Sequence, residues 1–203
     1  MLLTFDTSSA ACTAALFDES GALLCQRDEQ IERGHSERLV PMLDELLDGR
    51  KATRILVGVG PGSFTGIRVG IAAAHGLAIG WGADVAGMSS LALIAAGVRQ
   101  PGEVAVSITG GHGELFVQSF DGMTAEPLSD LINLPPAEAA AATRATLVVG
   151  SGAKLLIDAR GSGEASEAWP SAANALRLPL ALRGLSPKPV YARAPDARVR
   201  EVA

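Results

Sequence analysis

Two cysteines, Cys12 and Cys25, are all that the chain contains, and they form neither a CxxC pair nor a zinc-finger spacing. The three histidines, His35, His75 and His112, are too scattered to gather as a metal site. Charge is sparse as well: 19% of residues against 48% hydrophobic. That balance excludes a disordered chain, a coiled coil and a polyelectrolyte, and it predicts apolar surface covered by a partner. The net charge of −5 excludes nonspecific nucleic-acid binding by this chain alone, because phosphate binding needs clustered Lys and Arg. The start, MLLTFD, lacks a basic segment leading into a long apolar run, so the expectation is a reduced, cytoplasmic protein without a signal peptide. The most apolar region, Val69 to Val98, is interrupted by His75 and Asp84 and dotted with glycine. It reads as buried core and not as a membrane span.

The 203 residues are ample to bury a core as one domain or two small ones. Leu2–Asp6 reads as a buried strand, and Thr13–Phe17 and Ala22–Gln26 flank a turn at Asp18–Gly21. Leu39, Met42, Leu43, Leu46 and Leu47 carry helical spacing, which predicts a helix to Leu47 with Ser36 as N-cap and Pro41 as a complication near its start. Ile55–Val59 reads as a strand and Ile67–Gly80 as a helix with small residues Gly66, Gly70, Ala73, Ala74 and Gly80 on its surface. The second half restarts with strands at Val104–Ile108 and Glu114–Phe120. A slide of 103 residues aligns Leu3 with Val106, Phe5 with Ile108, Phe17 with Phe120 and Asp18 with Asp121, which suggests a duplicated α/β unit. Pro127–Ala142 reads as loop then helix, Leu147–Val149 as a strand, and Gly161–Ser166 as a surface loop.

Gly60-Pro61-Gly62-Ser63-Phe64-Thr65-Gly66 joins a strand to a helix, where backbone N–H groups attract anions. It matches neither a P-loop, nor a dinucleotide fingerprint, nor a nucleophile elbow. The competing reading is a tight turn with Ser63 or Thr65 capping the helix. Asp6-Thr7-Ser8 at a strand end suits either a metal-bound phosphate or a carboxylate capping its own turn. The slide puts Thr109 at the equivalent position, so no second carboxylate supports a phosphate-transfer site. His35 reads as part of a polar helix start and His112 as an exposed turn residue. Residues 1–48 hold ten acids and three bases, and residues 177–203 six bases and two acids. Such polarity marks either two solvated faces or a surface that orients a partner.

Taken in order, D-T-S at Asp6–Ser8, H-S-E-R-L at His35–Leu39 with Pro41, G-P-G-S-F-T-G-I-R at Gly60–Arg68, S-S-L at Ser89–Leu91 and P-x-Y-x-R at Pro189–Arg193 resemble the TsaB (YeaZ) family over essentially the whole chain. The resemblance implies an α/β protein of duplicated RNase H-like halves, of the actin-like ATPase superfamily, with mixed sheets flanked by helices. On that division residues 1–102 carry the dimerisation helices and 103–203 form a smaller second half. It also implies a noncatalytic subunit of the complex that makes N6-threonylcarbamoyladenosine at position 37 of tRNA. In that family a TsaD-type subunit carries metal-binding histidines and transfers the acyl group, the TsaB chain pairs with it, and a TsaE-type ATPase joins. The present sequence offers serines near Gly87-Met88-Ser89-Ser90, where the TsaD relatives have histidines. It departs from the family's D-A-R-x-x-E-[VL]-Y, with Thr109-Gly110-Gly111-His112-Gly113-Glu114-Leu115-Phe116 in its place. The expectations are therefore no catalytic residue, no metal ligand and no tightly bound cofactor. The partner interface is expected on His35, Glu37, Arg38, Leu39, Met42, Leu43, Leu46, Arg68, Gly70 and Ala74. A nucleotide, ATP or ADP at a subunit junction, would meet Asp6, Thr7, Ser8, Gly60, Gly62, Ser63, Thr65 and Gly66. Alone, the chain is expected to pair with a second copy, and to reach tRNA only through the complex, with no membrane contact. A weak ATPase or glycopeptidase-like hydrolase acting alone, or a small nucleotide-binding module, are the alternatives.

Overall fold

A computed structural model describes residues 1–32 and 34–191. The first sheet opens as a meander of β1 (Leu2–Asp6), β2 (Ala11–Phe17) and β3 (Leu23–Gln30). It continues through α1 (His35–Leu47), β4 (Arg54–Gly58), α2 (Phe64–Trp81) and β5 (Asp84–Met88), giving the order β3-β2-β1-β4-β5. The helix α3 (Ser90–Val98) leads into the second sheet, built from β6 (Glu103–Thr109), β7 (Leu115–Asp121), β8 (Ile132–Leu134), α4 (Pro136–Ala142), β9 (Leu147–Val149), α5 (Ala153–Arg160) and β10 (Glu164–Ser166). Its order, β8-β7-β6-β9-β10, repeats the first. In each sheet the first two strand pairs are antiparallel and the last two parallel. The fold is a duplicated RNase H-like α/β pair. The repetition is topological and not a uniform slide: Leu2 stands opposite Phe17, whereas Val104, and not Ala105, stands opposite Phe120.

β1 and β2 are buried throughout because the first sheet is covered on both sides. Side chains alternate across it: Leu3 and Phe5 pack with α1 and α2, while Leu2, Ala15 and Leu56 join α3 and the inward residues Val104, Val106 and Phe120 of the second sheet. One apolar cluster thus runs from sheet to sheet through α3, whose residues Ser90–Ala96 are all buried. The other face of the second sheet closes on α4 and α5 through Ala105, Leu115, Val117, Ala139 and Leu156.

The chain's last described stretch does not stay with the second sheet. Beyond Pro170 it returns to the first, where the Ala172 N–H donates to Thr13 Oγ1 at 2.8 Å and Thr4 Oγ1 donates to the Ala172 carbonyl at 2.9 Å. Past α6 (Leu180–Arg183), Leu185 forms an antiparallel bridge with Gly87, and the Val190 N–H donates to Val59 O at 2.8 Å. This strap lies across the ends of β5 and β4.

Several boundaries differ from the sequence expectation. Gly34, in the left-handed region at φ 90°, and not Ser36, precedes α1, and the Ser36 hydroxyl instead donates to the Glu37 carboxylate at 2.8 Å. Pro41 sits inside α1 on its exposed side, where the missing amide leaves a carbonyl facing water. α2 begins at Phe64 because Ser63 caps it, its Oγ accepting from the Gly66 N–H at 3.2 Å. Residues 164–166, expected as loop, form the edge strand β10; all three are exposed, so no apolar pattern marks them.

Candidate functional site

Asp6 is fully buried at the end of β1 and its carboxylate is held from within by three hydrogen bonds. Oδ1 accepts from the Ser8 N–H at 2.7 Å and the Ser8 hydroxyl at 2.6 Å, and Oδ2 accepts from the Ser90 hydroxyl at 2.5 Å. Ser90 Oγ in turn accepts from the Gly60 N–H at 3.2 Å. The glycine-rich loop is seated against this turn. A Cβ on Gly62 would come within 2.0 Å of Ser8 O, and one on Gly66 within 1.9 Å of Thr7 O. The Ser63 N–H donates to Ser8 O at 2.6 Å, and Thr7 Oγ1 donates to Gly66 O at 2.7 Å. The glycines therefore serve close packing of backbone on backbone, and Thr65 lies exposed in the first turn of α2. The structure brings Asp6, Thr7, Ser8, Gly60, Gly62, Ser63 and Gly66, expected around a nucleotide, into one neighbourhood. Sequence reasoning did not find Ser90, 84 residues away, as the second anchor of Asp6.

Between the halves, Ser8, Ser63, Thr109, Ser151 and Trp169 are among the residues lining a cleft of about 400 Å³. Among the described residues its one charged lining residue is Glu32, and none of them is a Lys or Arg that would meet a polyphosphate. Among the described residues no three His, Cys, Asp or Glu side chains gather as metal ligands.

The helix face expected to meet a partner is turned the other way. Leu39, Met42, Leu43 and Leu46 are buried against Phe5, Ala14 and Leu16. The physical reason is that the sheet's own apolar face has to be covered, and α1 has only one apolar stripe to cover it with. On α2, a Cβ at Gly70 would meet Thr7 Oγ1 at 2.7 Å, and Ala74 is fully buried, so both also face the sheet. His35 is buried, its ring Nε2 3.3 Å from the Ala11 carbonyl oxygen. Arg38 pairs with Glu29 at 2.6 Å and with Glu45 at 2.9 Å, tying α1 to β3. Its guanidinium holds both carboxyls below the usual carboxylate range. Glu37 is exposed, and the hydrogen bond from Ser36 lowers its pKa too.

What remains outward is a different set. Ala72, Gly76, Ile79 and Gly80 recur at three- and four-residue steps along the exposed side of α2. Ile79 is 86% exposed, and a Cβ at Gly76 or Gly80 would meet nothing within 4 Å. Phe64 at the start of α2 and Val40 on neighbouring α1 are likewise more than half exposed. The signal was present in the sequence: α2 contains no Asp or Glu in eighteen residues, so it is apolar on both sides. At the N-terminal end of this face Arg68 lies with its guanidinium carbon 3.8 Å from the centre of the Phe64 ring, and its Nε donates to Tyr191 Oη at 3.2 Å. The Phe64 and Tyr191 rings are 5.4 Å apart. Arg193, the last residue of the tail motif, lies outside the described residues.

Comparison with known proteins follows the same lines. The family model described as TsaD, tRNA N6-adenosine threonylcarbamoyltransferase, matches residues 28–150. The tRNA threonylcarbamoyladenosine biosynthesis protein TsaB of Escherichia coli is 36% identical over 123 residues, which is 57% of this chain and 52% of that protein. The protein of the same name from Haemophilus influenzae is 38% identical over 46% of this chain and 41% of its own length. The match thus spans about half the length of these curated relatives. The solved structure of YeaZ from Pseudomonas aeruginosa has a TM-score of 0.75 at 31% identity, over 94% of this chain and 98% of that one.

Proposed function

The chain belongs to the TsaB (YeaZ) family, and from that premise we propose that it is a noncatalytic pairing subunit of the complex that forms N6-threonylcarbamoyladenosine in tRNA. One observation carries the reading: an exposed, acid-free stripe of small and apolar side chains on α2, Ala72, Gly76, Ile79 and Gly80, which none of the described residues covers. Small residues let a second helix approach closely, and apolar area of this kind marks a protein interface. A TsaD-type subunit is the proposed occupant, a second copy of this chain takes its place when that subunit is absent, and a TsaE-type ATPase joins the assembled pair. Transfer chemistry is assigned to the TsaD-type subunit, consistent with the buried carboxylate of Asp6, which is already engaged by three donors of its own chain. Contact with tRNA is through the complex, and the proposed location is the cytoplasm. Among the described residues no helix is long and apolar enough to cross a membrane.

The test is co-purification with the TsaD-type subunit, followed by the tRNA modification assay with each subunit omitted in turn. The expected result is a stable pair, no product without this chain, and no ATP or peptide turnover by this chain alone. Product formed at full rate without it, or turnover by the isolated chain, overturns the reading in favour of an independent hydrolase.

A further inference from the structure

Arg68 is the one Lys, Arg, Asp or Glu of α2, and it is held in place more firmly than an exposed arginine ordinarily is. The face of its guanidinium rests on Phe64 and its Nε is committed to Tyr191. Among the described residues no acceptor lies within hydrogen-bonding distance of its two terminal nitrogens. The device that fixes it is the strap. Gly87 lets the strap lie against β5, because a Cβ there would come within 2.7 Å of Ser186 O. The pairing of Leu185 with Gly87 and of Val190 with Val59 then sets Tyr191 over Phe64. A planar guanidinium so fixed has already lost much of its rotamer freedom, and it presents two parallel N–H donors spaced for a carboxylate.

We propose that Arg68, held by Phe64 and Tyr191, is a carboxylate clamp that receives an acidic side chain of the protein partner docked on α2. The inference rests on the α2 face being the partner surface, and it adds the chemistry of recognition at one end of that face. A protein carboxylate fits better than an RNA phosphate. Phosphate tracks are bound by clustered Lys and Arg, whereas α2 has no second such residue and the outer side of α1 carries Glu37, Asp44 and Glu45. A single cation at the end of an apolar stripe matches a protein interface, where Arg is enriched and charge pairs set register. Tyr191 is a positioning residue, since it would act through Arg68 alone.

The experiment is calorimetric titration of the full-length chain with the purified TsaD-type subunit of the same organism, at low and high salt, for the native chain, R68A, R68K, Y191F and I79D. R68A is expected to weaken association on the order of tenfold, with a shallower salt dependence. R68K recovers little of the loss, because an ammonium lacks the fork. Y191F weakens binding a few-fold, and R68A/Y191F is no weaker than R68A, which a merely structural role for Tyr191 would not give. I79D reports on the face itself. If I79D weakens association and R68A does not, the clamp is wrong while the face stands. If neither does, the face is wrong and the clamp falls with it. If R68A leaves the protein affinity intact but lowers tRNA binding by the assembled complex, the anion is a phosphate and the proposal is overturned.

Discussion

Replacing Gly58 by alanine tests whether the Asp6 turn is structural. A Cβ at Gly58 would lie 1.8 Å from Asp6 Oδ2 and 2.4 Å from its Cγ, so one of the two must move. The strand β4 is held between β1 and β5, and the carboxylate is held by three donors from Ser8 and Ser90. Pushing the carboxylate aside strands those buried donors, at roughly 1–3 kcal/mol each and less than additively. The expected loss is about 3–5 kcal/mol, a large share of the roughly 5–15 kcal/mol that keeps a domain folded. At about 2–4 °C per kcal/mol for a chain of this size, the melting temperature should fall by roughly 10 °C. Urea unfolding followed by far-UV circular dichroism measures it, in a cycle with Asp6→Ala. The double variant should lose less than the sum of the singles, because Asp6→Ala removes the 1.8 Å and 2.4 Å clashes and leaves only the tight 3.0 Å approach to the residue's own Cβ. A loss under about 1 kcal/mol for Gly58→Ala, or strict additivity, would refute the reasoning and leave Asp6 available to a ligand.

Leu39→Ala should cost about 2–5 kcal/mol of stability, while Ile79→Asp leaves the melting curve nearly unchanged and abolishes pairing by sedimentation; the reverse pattern would return α1 to the interface. Burial pushes the Cys12 thiol up to about 11, so a thiol reagent at neutral pH should label Cys25 in the folded chain and Cys12 only after denaturation. Labelling of both at equal rates in the native state would contradict the burial. Because the folded-state pKa values of Glu29 and Glu45 lie below the ordinary value of 4.5, their bridges to Arg38 stabilise above that pH. The contribution is lost as pH falls through the folded values. Melting temperature against pH should therefore drop more steeply below about pH 4.5 in the native chain than in Arg38→Met, and parallel curves would sink the assignment.

The strands β1 and β2, the helix α1 and the repeated opening of the second half were legible because their periodicity is local. Which body an apolar stripe faces is not local. Leu39, Met42, Leu43 and Leu46 show helical spacing whether they cover a sheet or a partner, and only the need to close the first sheet decides it. On α2 both sides are apolar, so its sequence does not show that Gly70 and Ala74 face inward, Gly70 against Thr7, 63 residues earlier, and Ala74 within the apolar cluster of the first sheet. The sequence of the glycine loop suits an anion-binding loop or a turn capped by Ser63 or Thr65; Ser63 is the cap, but the loop's use of Ser90 and the return of the strap to β5 depend on contacts between distant positions. β10, with Glu164, Ala165 and Ser166 all exposed, carries no pattern to read.

The helix α3 gives the molecule a mechanical property. Leu91–Ala96 belong to a single apolar cluster with Leu2 and Leu56 of one sheet and Val104 and Phe120 of the other. Any rotation of one half against the other would have to shear that cluster, and close-packed interiors resist such displacement. The hydrogen bonds of Ala172 to Thr4 and Thr13 act as a second fastening at a distance in sequence. Ala172 packs in that same cluster, so the two fastenings act together against such a rotation. The outward side of α2 is thus presented on a stiff body, and a binding partner spends little of its association energy on ordering it.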